Sequence, residues 1–183
     1  MIASENEEYI KHATFLETQA KEPVRHYEHK EIGYNYRMSN ITAGVGRGQL
    51  IHLDEHIAKK KAIYETYKEA LKDYKHVHMN PYETCSEPNF WLSCMTLDES
   101  CGVKPLDIIE ALEAENIESR PIWKPLHKQP VFEGCEFYSH YENDEKSVSE
   151  DIFDRGLCLP SDIKNTKEDM ERIIKIIKSV LDR

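Results

Sequence analysis

A chain of 183 residues is long enough for one domain with a real core, and its 39% hydrophobic and 32% charged content suits a soluble globular protein rather than a disordered one. Its 24 Lys and Arg against 34 Asp and Glu leave a formal net charge of −10. That balance argues against nucleic acid or an anionic membrane as main partner, because neutralising phosphates needs massed cations. No apolar stretch is long enough to span a bilayer, and no signal-peptide pattern opens the chain. Cys85, Cys94, Cys101, Cys135 and Cys158 are scattered with no C-x-x-C pair, and read as reduced thiols of a cytoplasmic protein.

The first predicted element is a helix over residues 7–20, where Tyr9, Ile10, Ala13, Leu16 and Ala20 fall near helical spacing until Pro23. Residues 22–38 read as an irregular linker. A long helix is expected from Ser39 or Asn40 to Asp73, on the stripe Leu50, Leu53, Ile57, Tyr64, Tyr67, Leu71 and Tyr74. Lys60 is the one polar interruption, and Lys59, Lys60 and Lys61 read as a solvated face. Residues 90–97 look like a buried strand. Residues 105–114 form a helix with Pro105 in its first turn and Leu106, Ile109 and Leu112 inward. A second strand is expected over 117–122, loop over 123–144, a short helix over 148–155 ended by Gly156, and an extended segment over 157–160. The last helix is marked by Thr166 with Asp169 as a cap and by the stripe Met170, Ile173, Ile174, Ile177 and Leu181. Few strands separated by helices suggest an α+β fold preceded by a long helix, and the abrupt opening resembles a chain entered partway through a domain.

The chemistry concentrates in two places. Residues 119–132 hold Arg120, Lys124, His127 and Lys128 with no carboxylate, while Pro121, Pro125 and Pro130 keep the run extended and Trp123 sits in its middle. Such a loop suits an anionic ligand carrying a flat ring; the alternative is a solvated connector with Trp123 as a core plug. Residues 33–40 place Tyr34, Asn35, Tyr36 and Arg37 just before a helix N-terminus, a setting that suits a phosphate. The alternative there is a capping loop in which Ser39 or Asn40 caps the helix and Arg37 pairs with an acid. Gly44, Gly46 and Gly48 superficially suggest a phosphate loop, but no strand precedes them, which favours close helix packing. His52 and His56 have the spacing of two metal ligands, yet no third ligand is suggested and surface histidines are the preferred reading.

Taken together, residues 27–40, 49–54, 59–67, 89–92, 118–132 and 159–161, with the terminal helix, resemble the DegT/DnrJ/EryC1/StrS family of pyridoxal-phosphate-dependent sugar aminotransferases. The run at 119–132 is most similar to the subgroup acting on UDP-linked 4-keto-6-deoxy sugars. The resemblance implies the C-terminal portion of a fold-type-I aminotransferase: residues 1–40 a remnant of the large cofactor domain, 41–80 a long connecting helix, and 81–183 the small α+β domain. It implies pyridoxal 5'-phosphate in the complete enzyme, not bound by this chain alone, because the catalytic lysine belongs to a segment upstream of residue 1. Asn35 and Arg37 would reach the cofactor phosphate of a homodimer partner. Tyr34, Trp91, Arg120, Trp123, Lys124 and His127 would contact the UDP-sugar, with Arg120 or Lys124 at the diphosphate. The implied partners are the UDP-sugar, an amino donor such as glutamate, the missing large domain and a second copy, with neither nucleic acid nor membrane. A non-catalytic dimerisation or sugar-nucleotide-binding module derived from the family is the alternative. One departure concerns residues 43–49, where two extra glycines, each about 1 kcal/mol less favourable than Ala, and Arg47 interrupt the family's helix pattern.

Overall fold

Chain entry is made by α1 (Glu7–Glu17), whose Asn6 cap accepts from the Glu8 N–H at 2.9 Å. The structure, a computed structural model, describes residues 2–83, 85–138 and 147–183, and the chain divides into two compact units, Met1–His52 and Leu53–Arg183.

In the first unit, α1 stops at Glu17 rather than at Ala20, because Gln19 and Ala20 take positive φ (72° and 48°) and turn the chain. The returning segment then zips onto the helix end: Tyr34 N–H donates to Leu16 O (2.7 Å), Gln19 N–H to Tyr34 O (3.0 Å) and Tyr36 N–H to Glu17 O (3.2 Å). Gly33 is required at this crossing, since a Cβ there would lie 2.1 Å from the Gln19 carbonyl carbon. The helix α2 (Asn40–Leu50) follows, capped by Ser39, whose Oγ accepts from Thr42 N–H at 3.2 Å.

The expected single helix from 39 or 40 to 73 is two helices. The first ends in a tight turn in which His52 N–H donates to Gln49 O (3.0 Å), and α3 (Leu53–Leu71) starts afresh with Asp54 and Glu55 in its first turn. Three glycines weaken the first helix by about 1 kcal/mol each, and acids favour a new N-terminus where they stand.

The second unit is a four-stranded antiparallel sheet in the order β1-β2-β4-β3. Its strands are β1 (Val77–Met79), β2 (Ser93–Leu97), β3 (Arg120–Pro121) and β4 (Gly156–Leu159). Met95 and Leu97 of β2 and Leu157 and Leu159 of β4 point to one face. There they meet Ile63, Tyr67 and Leu71 of α3, Ile108 and Leu112 of α4 (Pro105–Glu113), and Met170, Ile173, Ile177 and Val180 of α6 (Lys167–Leu181). Each such side chain contributes about 1.5–3 kcal/mol relative to leaving it in water. On α4 the inward stripe is Ile108 and Leu112; Leu106, expected inward, is exposed, because this helix turns the Ile108 side to the sheet. The capping box of α6 is complete, with Thr166 Oγ1 accepting from Asp169 N–H (3.1 Å) and the Asp169 carboxylate accepting from Thr166 N–H (2.9 Å). A second box, Ser147 with Glu150, starts α5 (Val148–Arg155), whose last turn closes over the opposite sheet face at Gly156. Gly156 does not merely end α5; it opens the central strand β4.

The strand expected over 90–97 begins only at Ser93, because Phe90 takes a positive φ of 51° and breaks the extended run. The strand expected over 117–122 pairs only at Arg120 and Pro121, where a proline without an N–H limits the ladder. The part of the expected loop at 139–144 lies outside the described residues; the rest contains two 3-10 turns, Leu126–Lys128 and Pro130–Phe132.

Candidate functional site

The tryptophans of the second unit meet. Trp91 and Trp123 lie with ring centroids 5.9 Å apart at 31°, and both are largely exposed (64% and 61%). Trp123 is therefore not a core plug. Two open aromatic faces side by side form a platform on which a ring can pack.

Trp91 owes its position to its backbone. Asn89 Oδ1 accepts from Trp91 N–H at 3.0 Å, and Lys60 Nζ donates to Trp91 O at 3.1 Å and also to Ser161 O. Lys60 is half-buried and joins α3 to the segment before β2 and the segment after β4, at one end of the sheet, so the expected solvated face holds for Lys59 and Lys61 but not for Lys60. Ser161 is itself fixed, its Oγ accepting from Ser93 N–H (3.0 Å) and donating to Leu159 O (2.8 Å). Below them Tyr64, Tyr82 and Phe90 form an aromatic cluster, and Tyr64 OH donates to Asn80 O at 2.7 Å. Sequence reasoning put Lys60 on a solvated face and gave neither Asn80 nor Ser161 a positioning role. For Lys60 the signal was present: a cation on an otherwise apolar helical stripe needs partners.

Arg120 stands on β3, exposed, with its guanidinium on Glu118 (Nε to Oε1 2.8 Å). The carboxylate next to the cationic run thus occupies its first arginine. Lys124 is exposed beside Trp123, and its backbone O accepts from Gln129 Nε2 at 3.5 Å. His127 turns instead to α5 and the following loop: its ring stacks on Phe137 at 3.7 Å, and Nε2 lies 3.7 Å from Glu150 Oε2 without a hydrogen bond among the described residues. Lys128 Nζ reaches Glu150 Oε1 at 2.5 Å. Hydrogen bonds from Lys128 and from Ser147 hold the Glu150 carboxyl down to about 2. A cleft of about 700 Å³ lined by Leu97, Leu106, Ile109, Phe153 and Arg155 includes none of the expected site residues.

In the first unit, Tyr34 and Tyr36 stack at 5.3 Å, and Asn35 bridges to Thr18 through its backbone. Ser39 caps α2 as one reading required, but Arg37 pairs with no acid among the described residues. Asn35 and Arg37 thus present an amide and a guanidinium in the exposed run leading to a helix N-terminus, a donor set that fits a phosphate. Among the described residues a Cβ at Gly44, Gly46 or Gly48 would meet nothing within 4 Å, so the close packing expected of those glycines is not made there. Among the described residues no group of three His, Cys, Asp or Glu side chains could hold a metal, and no helix is long and apolar enough to cross a membrane.

The sequence profile of the DegT/DnrJ/EryC1/StrS aminotransferase family matches residues 1–178. The chain belongs to that family. It is 48% identical over 177 residues to EpsN of Bacillus subtilis (strain 168), assigned as a pyridoxal phosphate-dependent aminotransferase, covering 97% of this chain and 45% of EpsN. It is 30% identical over 182 residues to a GDP-perosamine synthase of Caulobacter vibrioides, covering 99% and 47%. Among solved structures it resembles PseC of Helicobacter pylori, an aminotransferase involved in the biosynthesis of pseudoaminic acid. The TM-score is 0.79 at 16% identity, over 98% of this chain and 47% of that one. The fold is thus that of part of a fold-type-I aminotransferase, and the chain spans about half the length of the curated relatives it matches.

Pyridoxal phosphate, which the family implies, finds only part of its requirement in these residues. Asn35 and Arg37 suit its phosphate end. A lysine poised for its aldehyde is not found among the described residues: the half-buried lysines are Lys60, committed to two carbonyls, and Lys178, over the Tyr74 ring, and the others are exposed.

Proposed function

We propose that this chain is the C-terminal portion of an aminotransferase that converts a nucleotide-linked 4-keto-6-deoxy sugar to the 4-amino sugar with glutamate as donor. Its setting is cytoplasmic, in polysaccharide biosynthesis. The observation that carries the reading is the open Trp91–Trp123 pair beside Arg120 and Lys124 in a family of sugar aminotransferases. In this reading the cofactor, when bound by the complete enzyme, carries the amino group between donor and sugar. The chain's own residues bind and orient: Trp91 and Trp123 pack on the base or sugar ring, Arg120 and Lys124 face the diphosphate, and His127 borders the sugar. Tyr34 joins the substrate contacts, and Asn35 and Arg37 hold the cofactor phosphate in a homodimer.

Arg120 must leave Glu118 to meet a diphosphate. That pair is exposed, so its release costs no more than about 1 kcal/mol. A charge-assisted, bidentate contact to phosphate exceeds that cost.

Because no lysine among the described residues is poised for the covalent step, this reading has the chain alone unable to transaminate. Mixing it with the N-terminal half of EpsN should restore the cofactor's visible absorbance and glutamate-dependent turnover of a UDP-4-keto-6-deoxy sugar. Turnover by the chain alone would refute its predicted inactivity, and a reconstituted enzyme indifferent to nucleotide sugars would refute the substrate class.

A further inference from the structure

Cys94 of β2 and Cys158 of β4 are directly opposed in the sheet, with their sulfurs 3.6 Å apart. They are 64 residues apart in the chain, and nothing in the proposed function uses them. The kind of pairing is decided by where Cys94 spends its backbone groups. Its N–H donates to Asn80 Oδ1 (2.9 Å) and its carbonyl accepts from Asn80 N–H (2.9 Å), both on the β1 side. Facing β4, Cys94 is therefore in a non-hydrogen-bonded antiparallel pair, the narrow kind, with Cα atoms about 4.5 Å apart. That separation falls just inside the range of about 4.4–6.8 Å that a disulfide spans, so the bond can close without moving the strands apart or together.

The surroundings suit one sulfur as nucleophile. Cys158 is buried (6% exposed), accepts the Cys94 S–H, and stands opposite Arg120 of β3 on the same sheet face. The hydrogen bond first, and then the guanidinium, hold the Cys158 thiol below its ordinary value, while the same hydrogen bond and burial push Cys94 up. Cys85 and Cys135 are exposed and Cys101 is half-buried, and all are free thiols. They provide the internal contrast, since exposure alone would make Cys85 and Cys135 react first.

We propose that Cys94 and Cys158 form a dithiol modification site that a small peroxide converts reversibly to a cross-strand disulfide. The Cys158 sulfur attacks one oxygen of hydrogen peroxide, the O–O bond breaks, and the departing hydroxide is protonated to water, leaving a sulfenic acid. Cys94 then gives up its proton, its sulfur attacks the Cys158 sulfur, and the S–O bond breaks with loss of a second water. Two thiols lose two electrons in all, and one peroxide becomes two waters. A dithiol reductant returns the pair to its starting state by thiol–disulfide exchange.

The test uses the full chain treated with one equivalent of hydrogen peroxide, alkylated, digested without reduction and mapped by mass spectrometry. The expected result is a peptide cross-linked between Cys94 and Cys158, with two of the five thiols lost and both recovered on adding dithiothreitol. In Cys94→Ser, dimedone should tag Cys158 as sulfenic acid. Because that variant could disturb the sheet, Cys85→Ser/Cys135→Ser is the second: both exposed sulfurs are gone, and the cross-link should form at an unchanged rate. Oxidation confined to Cys85 and Cys135, cross-links through Cys101, or sulfinic acid at Cys158 without a cross-link would overturn the proposal.

Discussion

Replacing Lys60 by Met removes the ammonium that ties α3 to Trp91 and Ser161 while keeping the stem that packs on the helix face. Hydrogen bonds from a charged donor contribute about 1.5–3 kcal/mol each. Lys60 is only half-buried, so water can reach part of what is vacated, and the lower end of that range applies to each bond. Met also spares the cost of dehydrating a charge, which brings the expected loss to about 2 kcal/mol. With a urea dependence of about 2 kcal/mol per molar, the unfolding midpoint should fall by about 1 M. The near-ultraviolet circular dichroism of the tryptophans should weaken as well, because Trp91 loses the anchor that holds it against Trp123. Lys59→Met and Lys61→Met are the controls. Both positions are exposed, Lys59 pairing with Glu55 at 2.6 Å, and each should shift stability by less than about 0.5 kcal/mol. A Lys60→Met midpoint indistinguishable from those of the two controls would refute the anchoring role.

The remaining expectations concern the core, the Glu150 network and the candidate site. Tyr67→Phe leaves the half-buried Pro160 carbonyl without its 2.8 Å donor from a fully buried tyrosine, so it should cost about 1–2 kcal/mol by chemical denaturation. Gly156→Ala places a Cβ 2.4 Å from the Ile152 carbonyl oxygen and 2.6 Å from Ile122 Cγ1; a loss of about 1–3 kcal/mol is expected, and a neutral substitution would contradict the close packing of α5 on β4. Glu150 is held down to about 2 against an ordinary value of 4.5, so its stabilising contribution is complete above about 4.5 and fades as the pH falls towards about 2. Lys128→Ala should raise that titration midpoint, measured by carbon NMR of the carboxyl; a midpoint already near 4.5 in the unaltered protein would contradict the network. In the reconstituted enzyme, Arg120→Ala and Trp123→Ala should each raise KM for the nucleotide sugar by about tenfold with kcat little changed, the pattern of lost ground-state binding; unchanged KM would remove both from the site.

What the sequence disclosed is what is local. The stripe of α6 and its Thr166–Asp169 box lie within a few residues of one another, and the helix appears where that pattern ends and begins. Ser147 and Glu150 form the same kind of box, equally local, at the start of α5. The family resemblance was legible for a related reason, since its residues keep order and spacing along the chain, and the family profile covers residues 1–178. The long helix failed at a place where local signals competed: the apolar steps ran through 51–53, while Asp54 and Glu55 were already marking a new N-terminus. Three residues of β1 are too few to show a period of two, so Val77–Met79 could be recognised only by its partner.

The features that position the candidate site are of another kind, because each joins segments whose separation no periodicity reports. Lys60 Nζ serves carbonyls 31 and 101 residues away. Trp91 and Trp123 flank different strands, and their approach follows from β2 and β3 both lying beside β4. The same register that lines up Arg120 with Cys158 lines up Cys158 with Cys94, so a cation and two thiols share one row of the sheet. Composition left the run at 119–132 open between an anion loop and a solvated connector, and only the family resemblance put Arg120 or Lys124 at a diphosphate. The sheet adds that the exposed partner of Arg120 is Glu118 and its buried neighbour is a thiol, and the strength of any anion contact it makes depends on the charge that both carry.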